Sequence, residues 1–178
     1  MKKSTIVSGS VIAGIVAFIA ILLSLIPAMG GKNWPQEIAI IQPYAFATTD
    51  TAKSAAAFFT LQNGLEDDDI LLSASSDIAR VTEIHENVID PDDGQMMMRK
   101  ISQLPIAAQE EVKLQPKGYH IMFIDMKEPL AVGERFPVTL NFEKAGQKDI
   151  FVKIIEAGRT PTQADFDDHH DIHADDTP

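Results

Sequence analysis

The chain has 178 residues, with 26 Asp and Glu against 15 Lys and Arg and a formal net charge of −11. That length suits one domain of ordinary size with extensions at its ends, and the charge argues against a nucleic-acid phosphate surface as a partner. The chain holds no cysteine, which excludes disulfides, thiolate zinc sites, iron–sulfur clusters, cysteine nucleophiles, blue-copper centres and a lipid anchor on cysteine.

Lys2 and Lys3 precede a stretch without charge that runs to Lys32, and Val11 to Ile26 is apolar but for Gly14 and Ser24. From Thr5 to Met29 the segment is long enough to cross a bilayer, which takes about 20 apolar residues. Ile26 to Gly31 is a poor small-residue cleavage site. The pattern predicts an N-terminal hydrophobic helix over residues 1–31, retained as a signal anchor, with a cleaved signal peptide as the alternative. Either way the remainder is exported, and Lys2 and Lys3 stay on the cytoplasmic side. Residues 32–37 read as a linker.

From residue 38 to residue 157 the chain consists of short apolar runs separated by turn residues, without helical periodicity. Phe58 to Leu61 ends at the turn signal Asn63-Gly64. Val81 to Ile89 reads as a strand that turns at Pro91-Asp92-Asp93-Gly94 and returns over Met96 to Ile101. Val112 to Leu114 and Tyr119 to Ile124 flank Pro116-Lys117-Gly118. Phe136, Val138, Leu140 and Phe142 alternate with period two, and Ile150 to Ile155 is the last strong strand. Many short strands split by turns indicate an all-β sandwich or barrel. The acidic runs Glu66 to Asp69 and Asp90 to Asp93 lack calcium-loop spacing and read as solvated turns. Residues 158–178, with six Asp and three His from Thr160 onward, are too polar to bury a core and read as a disordered acidic tail.

All five His lie at positions 85, 120, 169, 170 and 173, and five of the seven Met lie between 96 and 126. On a strand, residues i and i+2 share a face. His120 therefore shares a face with Met122, and Met96 shares one with Met98. His85 sits on the first strand of the hairpin that carries those Met residues. Imidazole and thioether donors without thiolate or carboxylate select a soft monovalent ion, and Cu(I) is the physiological candidate. Met97 has the opposite parity and reads as filler. So does Met126, on the His120 face by parity but beyond the strand end.

His85 and Met98 are followed after residues 99–119, twenty-one in number, by His120-Ile121-Met122. Gly118-Tyr119-His120, Lys127-Glu128-Pro129-Leu130 and Val138-Thr139-Leu140-Asn141-Phe142-Glu143 extend the likeness. In this spacing residues 38–157 resemble the periplasmic copper chaperones called PCuAC. The resemblance implies a cupredoxin-like Greek-key β-sandwich that holds one Cu(I) near its surface through His85, Met98, His120 and Met122. The gap between His85 and Met98 is longer than usual in that family, which leaves Met96 as a substitute ligand. His169, His170 and His173 among carboxylates form a second candidate site, suited to Cu(II). The resemblance further implies a haem–copper oxidase subunit, or its assembly thioredoxin, as acceptor. The N-terminal helix, read from its own apolar run, engages the membrane near such targets. Copper storage or detoxification is the rival function, and a mononuclear copper oxidoreductase a weaker one, since no acid–base constellation accompanies the ligands.

Overall fold

The computed structural model describes residues 34–91 and 93–167. The hydrophobic segment expected over residues 1–31 and the tail histidines 169, 170 and 173 lie outside the described residues. No helix among the described residues is long and apolar enough to cross a membrane.

Ten strands follow one another: β1 (Ile38–Phe46), β2 (Ser54–Asn63), β3 (Asp69–Ser75), β4 (Ala79–Ile89), β5 (Met96–Ile101), β6 (Leu104–Ile106), β7 (Glu111–Leu114), β8 (His120–Met126), β9 (Arg135–Phe142) and β10 (Gln147–Ile155). The described residues are all-β, as the short apolar runs and turn signals predict. Hydrogen bonding links the strands in the order β5-β4-β8-β2-β1-β10-β9-β3-β6, and β7 pairs with β2 beyond β8. The β1–β10 pair is parallel. Although β8 and β9 lie far apart in this order, Phe123 meets Phe136 edge-to-face at 5.4 Å. The sheet thus folds over on itself, and its two halves bury Leu61, Leu71, Ile121, Phe123, Val138, Leu140 and Val152 between them.

Local chemistry shapes the strands. Between Ile41 and Tyr44 the β1–β2 register slips, with Gln42 at φ 50°. Pro43, which has no N–H to give a ladder, sits at that bulge. Gly64 follows β2 where a Cβ would lie 1.7 Å from the Pro35 carbonyl oxygen, so only glycine fits. Asn63 does more than mark a turn. Its buried amide donates to the carbonyls of Asp67, Ile106 and Ala107 and accepts from the Leu65 N–H. It thereby clamps the crossing from β2 to β3.

Two expectations are corrected. The acidic run ending at Asp69 is not a solvated turn throughout: Asp69 is 1% exposed. Its carboxylate accepts from the N–H groups of Ile70 at 2.7 Å, Lys144 at 2.9 Å and Ala145 at 2.8 Å, fastening the β9–β10 turn to the head of β3. The segment after residue 157 also has structure up to residue 167. A 3-10 turn spans Gln163–Asp165, and Arg159 pairs with Asp165. Asp165 also accepts from Thr162, and Gln163 accepts from Gln42 of β1. Polar contacts to a fixed bulge supply the order that apolar burial does not.

Burial alone would raise the Asp69 pKa, but the backbone donors of Lys144, Ile70 and Ala145 and the Lys144 charge outweigh it and hold the carboxyl below its usual range. This stabilisation is fully present above the unfolded aspartate pKa of about 3.9 and is lost as pH falls through the lowered folded value. Asp69→Asn should cost about 2 kcal/mol at pH 7. Urea denaturation should show the gap to the parent narrowing as pH falls below 4.

Candidate metal centre

Ile84 of β4 pairs with Ile121 of β8, and both are buried. The strand alternation then turns the next pair, His85 and His120, to the opposite face, where their ring centroids stand 5.8 Å apart. One pair along the same face, Glu83 lies opposite Met122. Across the hairpin, His85 pairs with Lys100 and Asn87 with Met98. His85, His120, Met122 and Met98 therefore share one face of three neighbouring strands, as the sequence spacing predicts.

Met98, His120 and Met122 line an open cavity of about 370 Å³ floored by Ala55, Ala56 and Phe58. His120 is 3% exposed, whereas Met98 on the outermost strand is 59% exposed. Met96 has the parity of Met98 but pairs with Ile89, one same-face row nearer the hairpin tip, and does not line the cavity. Met97 pairs with Val88 on the other face. Met126 is filler, for a different reason than its expected place beyond the strand. It is the last residue of β8 and packs into the core, because Asp125 at φ 59° breaks the alternation.

Hydrogen bonds fix both imidazoles. His120 Nδ1 lies 3.1 Å from the Gly118 carbonyl, which can only accept. Nδ1 therefore carries the hydrogen, and in the neutral ring Nε2 keeps a lone pair. His85 Nε2 lies 2.9 Å from the Glu83 carboxylate, whose other oxygen accepts from Lys100 Nζ at 2.7 Å. In the neutral ring this leaves the lone pair on Nδ1. That atom is the single buried side-chain nitrogen or oxygen among the described residues with no hydrogen-bond partner. A buried acceptor without a donor is costly, and a cation bound there would supply the missing interaction. Glu83 and the Gly118 carbonyl were not singled out in the sequence. The signal for Glu83 is its place two residues before His85, on the same strand face.

The donor set is soft. Among the described residues no three of His, Cys, Asp and Glu gather into a group that could hold a metal ion. Two imidazoles with two thioethers suit Cu(I) and offer little to zinc or calcium.

Burial pushes the His120 pKa below the ordinary histidine range. The Gly118 carbonyl opposes the shift, and the charge of a protonated His85 adds to it. With the folded pKa below the unfolded value of about 6.5, the unfolded chain binds more protons in this window. The stability contributed by neutral His120 is complete above about pH 6.5 and is lost as pH falls toward the folded pKa. Chemical denaturation of metal-free protein between pH 7.5 and pH 5 should show this loss in the parent, and a smaller one in His120→Gln.

A family model described as “Putative lipoprotein LpqE-like” matches residues 38–154. An uncharacterized protein of Rickettsia prowazekii is 31% identical over 125 residues, covering 67% of this chain and 68% of that relative. A protein of Leifsonia xyli subsp. xyli, also named as a lipoprotein, is 30% identical over 99 residues, or 56% of this chain and 59% of its own length. Among solved structures, the copper-bound PCuAC domain from PmoF2 superposes with a TM-score of 0.57 at 22% identity, covering 67% of this chain and 93% of that domain. Cu(I)-bound DR1885 from Deinococcus radiodurans superposes with a TM-score of 0.57 at 22% identity, covering 73% and 85%. The PCuAC resemblance read from the spacing of His and Met is thus matched in the fold.

Proposed function

The chain belongs to the LpqE-like family, and from that premise we propose that its His85, His120, Met122 and Met98 bind one Cu(I), which the protein carries to an acceptor by ligand exchange. The observation that carries this reading is the buried, unpartnered Nδ1 of His85 beside His120, on a face that also bears two thioethers. The copper-bound PmoF2 domain and Cu(I)-bound DR1885 share the fold and support the same cargo.

The chemistry follows from the ligands. Thioethers and neutral imidazoles bind Cu(I) without losing protons, so loading at neutral pH has no deprotonation to overcome. Copper remains Cu(I) throughout, and the transfer moves ligands rather than electrons. An acceptor that presents thiolates is softer and more basic, so exchange runs toward it. Met98, exposed on the outermost strand, is the ligand most readily displaced first. A copper centre of a haem–copper oxidase, or its assembly thioredoxin, is the acceptor that the PCuAC likeness suggests.

The reading places the domain in the periplasm. The lipoprotein name carried by the family and by the Leifsonia relative supports export. Because this chain has no cysteine to lipidate, the apolar segment within residues 1–31 serves as its anchor, and it raises the effective concentration near membrane-bound acceptors.

Met122→Leu keeps the apolar volume and deletes the sulfur, so folding should survive. Competition titration should show Cu(I) affinity falling about tenfold or more, equivalent to roughly 1.4 kcal/mol. The same change at Met97 should leave affinity as it was. Equal affinities for the parent and Met122→Leu would remove the site.

The tail histidines form the second, weaker site. Removing residues 168–178 keeps the Arg159–Asp165 turn intact and deletes His169, His170 and His173. Copper stoichiometry should then lose a Cu(II) equivalent at pH 7 and retain Cu(I). In the full chain the same Cu(II) should dissociate at pH 5, below the histidine pKa of about 6.5. Unchanged Cu(II) stoichiometry after truncation would leave the tail as a solvated extension.

A further inference from the structure

Lys117 stands on the rim of the cavity that Met98, His120 and Met122 line. It belongs to the turn Gln115 to Gly118, closed by the Gly118 N–H donating to the Gln115 carbonyl at 2.9 Å. Pro116 occupies the second position and Lys117 the third, at φ 66°. This is a type II turn, whose third position favours Gly or Asn because a Cβ is strained there. A lysine is an expensive choice for the turn alone.

The surrounding charges are otherwise spoken for. Glu83 binds Lys100 and His85, and Glu86 binds Arg99. Lys117 is exposed and has no ion-pair or hydrogen-bond partner among the described residues. The chain as a whole carries −11 and repels an anion at long range, so an uncompensated cation at this mouth provides local attraction.

We propose that the cavity beside the ligands is the entry site for an acidic, cysteine-bearing segment of a partner protein, and that Lys117 draws it in by pairing with its negative charge. The inference rests on the Cu(I) reading of the previous subsection and adds the partner's chemistry to it. About 370 Å³ admits a side chain or two rather than a folded element. The apolar floor of Ala55, Ala56 and Phe58 suits the uncharged part of such a segment, and Met98 and Met122 in the wall bring the cargo within reach of an entering thiolate. A charge at the rim acts on association rather than on the strength of the copper bonds.

The test uses the full chain loaded with Cu(I) and two synthetic Cys-x-x-Cys peptides that differ only in their flanking residues, Asp in one and Lys in the other. Stopped-flow transfer at low salt should be faster to the Asp-flanked peptide. Lys117→Asn, which tolerates the left-handed turn, should slow that transfer about three- to fivefold and leave Cu(I) affinity unchanged. Lys117→Arg should retain the parent rate. Raising the salt to 0.5 M should abolish the difference between parent and Asn variant. Equal low-salt rates for the parent and Lys117→Asn, or a preference for the Lys-flanked peptide, would overturn the entry site while leaving Cu(I) binding intact. A parent chain that binds no Cu(I) would overturn both readings together.

Discussion

Ile84 and Ile121 face each other across β4 and β8, buried among the core residues, and the positions of the histidines follow from that pair. Side chains alternate with period two, so burying these isoleucines turns His85 and His120 to the other face together. A slip of one residue in either strand would send one imidazole into an apolar core and bring an isoleucine out. The apolar free energy of the core thus enforces the spacing of two polar rings that contribute little to it. Met122 and Met98 inherit their places from the same ladder, through the β8 alternation and the β4–β5 register.

The electrostatics of the face are arranged from outside inward. Glu83 and the Gly118 carbonyl take the hydrogens of the two rings, and the remaining nitrogen of His85 is buried without a partner. Burial also keeps His120 neutral, so it can donate an electron pair without first losing a proton. The site carries no carboxylate cluster, and a hard divalent ion would find too few oxygen partners there. In the proposed site, selectivity would reside in donor softness and in the hydrogen bonds that set the tautomers.

The elements visible in the sequence are those that local pattern governs. The β4–β5 hairpin announces itself by its Asp-, Pro- and Gly-rich turn and by flanking strands, and its methionine parities follow from alternation. The convergence of His85 with His120-Ile121-Met122 was legible because strands placed them on one face. What sequence reading misses depends on partners distant along the chain. Asp69 looks like a member of an acidic loop, and its burial is set by the backbone of Lys144 and Ala145. Met126 changes face through the single backbone angle of Asp125. The turn after residue 157 holds by contacts such as Gln42 to Gln163, 121 positions apart. None of these leaves a periodic trace.

Among the described residues β5 has only one hydrogen-bonded neighbour, β4, and all but its last residue are exposed. Such a strand is among the first parts of a fold to open, at a fraction of the free energy needed to unfold the whole. Its departure would carry Met98 away while the His85–His120 pair stayed locked between β4 and β8. The four donors are therefore not mechanically equivalent: three are borne by strands with neighbours on both sides, and one rides on a fraying margin. Any ligand held by all four could pass through a three-coordinate state without disturbing the core, and the frequency of that state would be set by how often a single edge strand peels.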